Sequence, residues 1–376
     1  MPLQRRMAYR VITGLIMVLA LSLGVRGVII EMSMRELYDQ TIDLRRQILT
    51  IKIAIPPLRD LARKCGIYIG AAVERSYLDV SYYANTLKQE FSILTTENAL
   101  KFGPVHPQPD VYYFDDADYI VRFAEVNGMK VRGHTLVWHQ QLPSWVAQGR
   151  YIREEWMNIL REHIMTVVGR YKGRIYAWDV VNEAITDDGA WRDNIWLRDI
   201  GPEYIELAFR WAHEADPQAL LFYNDYGAEG LNAKSDAVYN LVKGLLERGV
   251  PIHGVGLQMH ISVENPPNPQ EIAANIRRLR ELGLEVHITE MDVRMRTPAR
   301  WEDLVRQAEI YREILRVCLS TGCKAFVMWG FTDKYSWIPS YFTGYGAALI
   351  FDESYEPKPA YYYIAAVLIE HLTKEL

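Results

Sequence analysis

The feature that most constrains the fold of this chain is a repeated alternation of short apolar runs with longer helical patterns. The apolar or β-branched runs lie at residues 67–73, 91–97, 130–138, 175–182, 220–224, 255–260, 284–290 and 325–329. Helical patterns lie between them at residues 115–127, 154–171, 202–215, 233–248, 269–282 and 301–320. This order is typical of βαβ units, and eight strands in about 310 residues predict a (β/α)₈ barrel of the α/β class.

Composition and motifs argue against two broad classes of function. The 376 residues carry a net charge of -5 without clustered Lys and Arg, so we expect no nucleic-acid partner. The first predicted strand is not followed by a glycine-rich phosphate-binding sequence, which argues against a dinucleotide-binding sheet. The 10 Trp and 24 Tyr residues fit either extra core and surface aromatics or platforms for the apolar faces of sugar rings.

The N-terminal segment has the organisation of an export signal. Arginines precede an uncharged apolar run at residues 11–25, which is the order found in signal peptides. The run is short for a membrane span, but its extension to residue 30 reaches about 20 residues, so a cleaved signal and an uncleaved anchor both stay open. We expect a secreted chain, or one tethered to the cell surface by residues 11–30, with a lead-in stalk at 31–65 and the barrel at 66–376.

The cysteines do not indicate a disulfide framework or a zinc site. There are 3 of them, which is too few for such a framework, and they lack CxxC spacing. Cys318 and Cys323 flank a short predicted turn and could pair in an exported chain. The sequence is equally consistent with three reduced thiols.

Polar or aromatic side chains follow almost every predicted strand. In a (β/α)₈ barrel the C-terminal strand ends form the active face, so these side chains should converge there. A single polar residue of this kind is more often a helix cap or a satisfied buried group, but convergence from six strands is hard to explain in that way. Carboxylates, amides and indoles together suit hydrolysis of glycosidic bonds. The set comprises Glu97, Asn98, His134, Trp138, His139, Asp179, Asn182, Glu183, Asn224, Asp225, Tyr226, Gln258, His260, Glu290, Asp292, Trp329 and Asp333.

Several of these positions lie in motifs that occur in a specific order. They are TTENALK (95–101), GHTLVWHQQ (133–141), WDVVNEA (178–184), FYNDY (222–226), GLQMH (256–260), ITEMDV (288–293) and WGFTDKYSW (329–337). From about residue 66 onward the chain resembles the endo-β-1,4-xylanases of glycoside hydrolase family 10. The resemblance implies cleavage of internal β-1,4 bonds of xylan with retention of configuration, and xylan and xylo-oligosaccharides as binding partners.

The resemblance also implies a role for individual residues. Glu183 matches the acid/base and Glu290 the nucleophile, while Asn182 matches the residue that binds the sugar 2-hydroxyl. His260 and Asp292 match the pair that orients and tunes the nucleophile. The other substrate-binding positions are Glu97, Asn98, Lys101, His134, Trp138 and Gln258 in the glycone subsites, with Trp329 and Trp337 on the cleft walls. We expect the two carboxyl groups to lie about 5 to 5.5 Å apart, a monomeric enzyme, and no metal or organic cofactor.

The chain departs from the family pattern at a few positions. Phe102 and Gly103 stand where the family usually has Trp and Glu, and Met259 replaces a common Gly. The loop at residues 340–346 also looks individual. These positions affect the shape of the subsites, and therefore chain-length preference and tolerance of branches, rather than the type of reaction.

Two other functions compete with a xylanase. A metal-dependent barrel hydrolase would use His134, His139, His260 and His287 as ligands, but the spacing of the first two does not suit a shared metal ion. A non-catalytic carbohydrate-binding barrel would use the aromatic residues alone, without a role for a costly pair of facing carboxylates.

Overall fold

A computed structural model of the protein describes residues 55–374, and its centre is a closed barrel of parallel strands. Each strand pairs with the next, and the last pairs with the first, which closes the sheet. The predicted (β/α)₈ fold is confirmed. The barrel strands are β1 (Tyr68–Val73), β2 (Ile93–Thr96), β3 (Lys130–Val137), β4 (Ala177–Asn182), β5 (Leu220–Asp225), β6 (Gly254–Leu257), β7 (Glu285–Arg296) and β8 (Ala325–Met328).

Helices cover the outside of this barrel. Among residues 55–374, one helix precedes β1, and one longer helix follows each strand. They are α1 (Leu58–Lys64), α2 (Ser81–Glu90), α3 (Asp115–Val126), α4 (Arg153–Arg170), α5 (Tyr204–Ala215), α6 (Ala233–Glu247), α7 (Pro269–Glu281), α8 (Trp301–Thr321) and α9 (Pro359–Lys374). Shorter elements lie in the loops: the helical turns Arg75–Asp79, Phe102–Val105, Ser144–Ala147, Ile195–Asp199, Asp333–Tyr335 and Ile338–Tyr341, and the strands His260–Ser262 and Tyr345–Gly346.

The six predicted helices lie within two residues of their observed bounds, because each buries one apolar face against the barrel. The helix α8 continues through Thr321, so Cys318 lies in its last turn rather than beside a separate turn of the chain. Gly322 then ends the helix with a φ of 77°, a left-handed conformation that glycine adopts without steric cost. Cys318 and Cys323 are both buried and are free thiols.

The helix α1, the first in the described part of the chain, belongs to the packed domain. Its residues Leu58, Leu61 and Ala62 are buried in the main hydrophobic core. The carboxylate of Glu90, on α2, accepts hydrogen bonds from the Leu58 amide at 2.9 Å and from the Tyr361 hydroxyl, on α9, at 3.0 Å. The packed core therefore begins before residue 66, where the sequence places the start of the barrel.

The predicted signal or anchor at residues 1–30 lies outside the described residues, and so does most of the predicted stalk. Of the helices found in residues 55–374, none combines the length and the apolar character needed to cross a membrane.

A buried charged layer fills the barrel beneath its C-terminal face. Arg132 is fully buried and pairs with Asp179, which lies 3.0 Å from His134 Nδ1. Burial would raise the pKa of Asp179, but the charge of Arg132 and the contact with His134 lower it below its usual value. A buried charge is tolerated only with such partners. The contact with Asp179 orients the side chain of His134, which lies at the active face.

Candidate active site

The strand ends bring the predicted site residues to one face of the barrel. Glu183 follows β4 directly, and Glu290 lies within β7. The register between β7 and β8 shifts between Ile288 and Met291, and such irregularities commonly re-aim a side chain next to an active site. Most of the other predicted residues lie at or after the C-terminal ends of their strands, whereas His134 and Asp179 lie within β3 and β4.

The backbone of Glu183 has an uncommon conformation that its neighbours hold in place. Its φ is 59°, which costs a residue with a side chain roughly 1–2 kcal/mol. The Glu183 amide donates to the Asn224 carbonyl at 2.9 Å, and its carbonyl accepts from Arg192 Nε at 2.8 Å. The next amide, of Ala184, donates to the Tyr223 hydroxyl at 3.0 Å. These hydrogen bonds fix the direction in which the carboxyl group points.

The carboxyl group of Glu183 accepts hydrogen bonds from neutral donors. Trp138 Nε1 donates to one oxygen at 3.0 Å. Asn182 Nδ2 and Gln258 Nε2 contact the other oxygen at 3.2 and 3.1 Å. The first of these oxygens has the indole N–H as its partner, while the other has two amides, so the group is oriented without a charged partner in direct contact.

The carboxylate of Glu290 lies among stronger donors. Asn224 Nδ2 donates to Glu290 Oε1 at 2.7 Å, and His134 Nδ1 lies 3.9 Å from the same oxygen. His260 Nε2 lies 3.2 Å from Glu290 Oε2. Burial alone would raise the pKa of Glu290, but the hydrogen bond from His260 and the nearby histidine charges lower it. Glu290 is therefore ionised at neutral pH.

His260 is held between two carboxylates. Its Nδ1 lies 2.8 Å from Asp292 Oδ2, and the same oxygen accepts from Trp337 Nε1 at 2.8 Å. Burial would lower the pKa of His260, but the charge and hydrogen bond of Asp292, together with Glu290, raise it to about 10. The imidazole is thus a cation at neutral pH and donates to both carboxylates. This arrangement fixes the Glu290 carboxylate and stabilises its negative charge.

Asn224 connects the two glutamates. Its Nδ2 donates both to Glu290 and to Asn182 Oδ1, at 2.9 Å, while Thr289 Oγ1 donates to its Oδ1 at 2.7 Å. Asn224 faces Gly256 across the β5–β6 pair, where a Cβ would lie only 2.2 Å from Asn224 Oδ1. The glycine leaves the space that this amide occupies. The sequence places Asn224 on the active face but assigns it no role.

Lys101 organises one wall of the cleft. Its Nζ donates to Asn98 Oδ1 at 2.7 Å and lies 5.1 and 5.7 Å from the ring centres of Trp138 and Trp329. The Asn98 amide in turn donates to Glu74. These contacts fix a row of polar groups and two indoles, which together provide hydrogen bonds and flat apolar surfaces.

Glu97 differs electrostatically from the other carboxylates of the cleft. Burial, with the negative charge of Glu74, raises the pKa of Glu97 to about 8 despite the opposing charge of Lys101. Glu97 is therefore protonated over much of the neutral range. A neutral carboxylic acid both donates and accepts hydrogen bonds, which suits contact with a hydroxyl group.

Two of the residues that depart from the family pattern have clear structural roles. Phe102 stacks on the buried His163 ring with centroids 3.7 Å apart. Met259 is fully buried with a φ of 68°, and its amide donates to the Glu229 carboxylate at 3.0 Å. Both side chains are buried in the main hydrophobic core.

The four histidines of the metal-dependent alternative do not come together. His287 Nδ1 lies 2.6 Å from Arg132 Nη1, and its Nε2 lies 3.3 Å from Glu285, deeper in the barrel than the active face. Within residues 55–374, no three His, Cys, Asp or Glu side chains are grouped so that they could hold a metal ion. The geometry favours two carboxylates, rather than an imidazole cluster, as the reactive groups.

Known proteins share both the sequence and the fold of this chain. Endo-1,4-beta-xylanase B of Thermotoga neapolitana is 49% identical over 321 residues, which span 84% of this chain and 92% of that protein. The crystal structure of native xylanase 10B from Thermotoga maritima matches with a TM-score of 0.83 and 49% identity, over 85% of this chain and 99% of that one. Xylanase 10B from Thermotoga petrophila RKU-1, solved in complex with xylobiose, matches with a TM-score of 0.82 and 50% identity, over 84% and 97% of the two chains.

The predicted family resemblance is confirmed at the level of the whole domain. Residues 57–367 match the sequence pattern of the family described as Glycosyl hydrolase family 10. This range contains the entire barrel, from α1 to most of α9. The chain therefore belongs to glycosyl hydrolase family 10.

Proposed function

We propose that this protein is a retaining endo-1,4-β-xylanase in which Glu183 is the acid/base and Glu290 the nucleophile. The observation that carries the proposal is the contrast between the two carboxyl groups. Glu290 is bound by a cationic imidazole, whereas Glu183 is bound by an indole and two amides. Glu290 is thereby stabilised as an anion for attack on carbon, whereas no cationic side chain contacts the Glu183 carboxyl, which suits the group that exchanges a proton with the leaving oxygen. The relatives named as xylanases indicate xylan as the substrate.

In the first step, the Glu290 carboxylate attacks the anomeric carbon while Glu183 gives its proton to the departing glycosidic oxygen. A covalent glycosyl-enzyme forms and the reducing-end part of the chain leaves as an alcohol. In the second step, Glu183 removes a proton from water, which attacks the same carbon and releases Glu290 as a carboxylate. Two inversions give net retention of configuration.

The residues around the glutamates support this sequence of events. Asn182 donates to Glu183 and is connected to Glu290 through hydrogen bonds of Asn224. It therefore lies where it could bind the hydroxyl next to the reacting carbon. Glu97, Asn98, Lys101, His134 and Gln258 would contact the glycone hydroxyls, while Trp138, Trp329 and Trp337 would pack against the sugar rings. The hydrogen bond from Asn182 to the sugar 2-hydroxyl would favour the transition state, because it strengthens as positive charge develops on the ring.

We also propose that the protein is exported and acts as a monomer. The charged and apolar order of residues 5–25 supports export through a signal segment, with the protein acting on xylan outside the cell as a monomer. The mass of the mature protein distinguishes a cleaved signal from an anchor that retains residues 11–30.

Hydrolysis should release product with the same β configuration as the cleaved bond. Retention follows if Glu290 attacks the carbon directly, which requires the carboxyl groups to lie about 5 to 5.5 Å apart. Proton NMR of the fresh products of xylohexaose reports the anomer before mutarotation. An initial α product would contradict the double displacement, and a complete lack of cleavage would favour the non-catalytic binding barrel.

Activity should survive removal of metal ions. Both catalytic steps use only carboxyl groups and water, so they need no Lewis acid. Xylan hydrolysis measured before and after dialysis against EDTA should agree within about two-fold, which corresponds to less than 0.5 kcal/mol in the barrier. Loss of activity that one added metal ion restores, without a change in thermal stability, would instead support the metal-dependent alternative.

A further inference from the structure

Four tyrosines form two pairs of rings that are joined by a contact between hydroxyl groups. Tyr77 and Tyr335 stack with ring centres 4.0 Å apart and planes inclined by 11°. The Tyr355 hydroxyl donates to the Tyr335 hydroxyl at 3.5 Å, and the ring of Tyr355 lies 6.3 Å from that of Tyr82, inclined by 20°. We call these four residues the tyrosine platform.

The platform begins at the cleft itself. Tyr77 lies three residues after Glu74, the partner of Asn98 in the polar row of the cleft wall. Burial, together with the negative charges of Glu97 and Glu74, raises the pKa of Tyr77. Tyr335 lies between the two cleft indoles Trp329 and Trp337 in the sequence. The inner end of the platform therefore adjoins the glycone side of the site.

Its outer end is open to solvent. The side chain of Tyr82 is 76% exposed at the start of α2, although a large aromatic side chain gains stability when it is buried. The ammonium group of Lys334 lies 5.6 and 5.4 Å from the ring centres of Tyr335 and Tyr355. Flat apolar rings with a hydrogen-bond donor beside them match the two faces of a sugar, which has apolar C–H groups and polar hydroxyls.

We propose that the tyrosine platform binds further xylosyl units of the xylan chain, beyond the glycone subsites of the catalytic cleft. This inference rests on the proposed xylanase activity and adds a distal binding site to it. The substrate emerging from the cleft toward its non-reducing end would pass over Tyr335 and Tyr355 and reach Tyr82. Long chains would then bind more tightly than short ones, and the chain would be held so that more units lie on the glycone side of the cut.

The test compares the substitutions Tyr82→Ala and Tyr355→Ala with the wild-type protein on a long and a short substrate. On xylohexaose, kcat/KM should fall by about 2- to 10-fold, since one aromatic contact contributes roughly 0.5–1.5 kcal/mol. On an aryl xylobioside, which is too short to reach the platform, kcat/KM should not change. Xylohexaose labelled at its reducing end should also be cut farther from the label by the variants than by the wild-type protein.

The control is Tyr113→Ala. Tyr113 is 62% exposed, and none of the ring contacts described for residues 55–374 joins it to the platform. It should leave both substrates and the cleavage pattern unchanged. Equal losses on the two substrates, or an unchanged xylohexaose reaction in both platform variants, would overturn the distal site. A wild-type protein that cleaves neither substrate would instead overturn the proposed xylanase function.

Discussion

Replacing Glu290 with alanine should abolish turnover of both xylan and an activated aryl xylobioside. The substitution removes the atom that attacks the anomeric carbon, so no glycosyl-enzyme forms, whatever the leaving group. We expect a loss of at least about 10⁴-fold in kcat on both substrates, because removal of a covalent nucleophile has effects of this size or greater. Initial rates of phenolate release and of reducing-sugar release measure the two losses.

Azide provides a second measurement on the Glu290 variant. The shortened side chain leaves space on the face that the carboxylate occupied, and azide bound there would attack the aryl substrate directly. One displacement inverts the carbon, so the product should be the α-glycosyl azide, which NMR identifies. Glu285→Ala is a matched control, since Glu285 lies at the other end of β7 and the hydrogen bond described for its side chain is to His287, across 3.3 Å.

The control should retain wild-type rates on both substrates. A Glu290→Ala protein that keeps its aryl activity, or that gives a β-azide, would show that Glu290 is not the nucleophile. Circular dichroism of the variant distinguishes these outcomes from misfolding, since an active site carboxylate is not needed for the core to pack.

The barrel could be predicted because each of its elements carries a local signal. Amphipathic helices and apolar strands repeat along the chain, and their periods follow from which face is buried. The helix α1 was harder to predict, because it has only seven residues, Leu58–Lys64, and several of them are charged. Its helical state depends on packing against α2 and α9, which the local sequence does not encode.

The single strand predicted at residues 255–260 is interrupted in the structure, which the local sequence does not indicate. The structure divides it into β6 and the strand His260–Ser262, because Met259 has a left-handed backbone and its amide bonds Glu229 instead of a neighbouring strand. Similarly, β7 continues to Arg296 because it pairs with two short strands from distant loops. Both features arise from contacts between residues far apart in the sequence.

The residues of the candidate site could be predicted from the sequence, but the hydrogen bonds that connect them could not. Strand ends identified where Glu183, Glu290 and Asn224 would lie. The bridge formed by Asn224 depends on the distances from its side chain to Glu290 and to Asn182, which contacts Glu183, and on the absence of a side chain at Gly256. Such distances follow from the register of neighbouring strands, which a single sequence does not specify.

Replacing Glu183 with alanine should separate the two substrates that the Glu290 substitution affects equally. Xylan has a sugar alcohol as leaving group, which needs a proton, so its hydrolysis should fall by about 10²- to 10⁴-fold. An activated aryl xylobioside releases a stable phenolate without that proton, so its glycosylation step should be largely spared. A burst of phenolate followed by a slow steady rate would show that the glycosyl-enzyme forms and then waits for a base.

Azide should then restore turnover of the aryl substrate in the Glu183→Ala protein, because it attacks the glycosyl-enzyme without base assistance. Attack from the side that Glu183 vacated inverts the carbon a second time and gives the β-glycosyl azide. Glu183→Gln is the matched variant. It also lacks the proton, but it keeps a side chain that Trp138 Nε1 contacts at 3.0 Å in the native protein. It should lose xylan activity to a similar extent yet respond less to azide, since the space remains filled.

These outcomes assign the two roles independently of each other. A burst and a β-azide in the Glu183 variant require an intact nucleophile elsewhere, and Glu290 is the carboxylate linked to Glu183 through Asn182 and Asn224. If Glu183→Ala gave the α-azide while Glu290→Ala gave the β-azide, the assignments of acid and nucleophile would be exchanged. If Glu183→Ala gave no burst of phenolate and azide rescued neither variant while both folded, covalent catalysis by this pair would be contradicted.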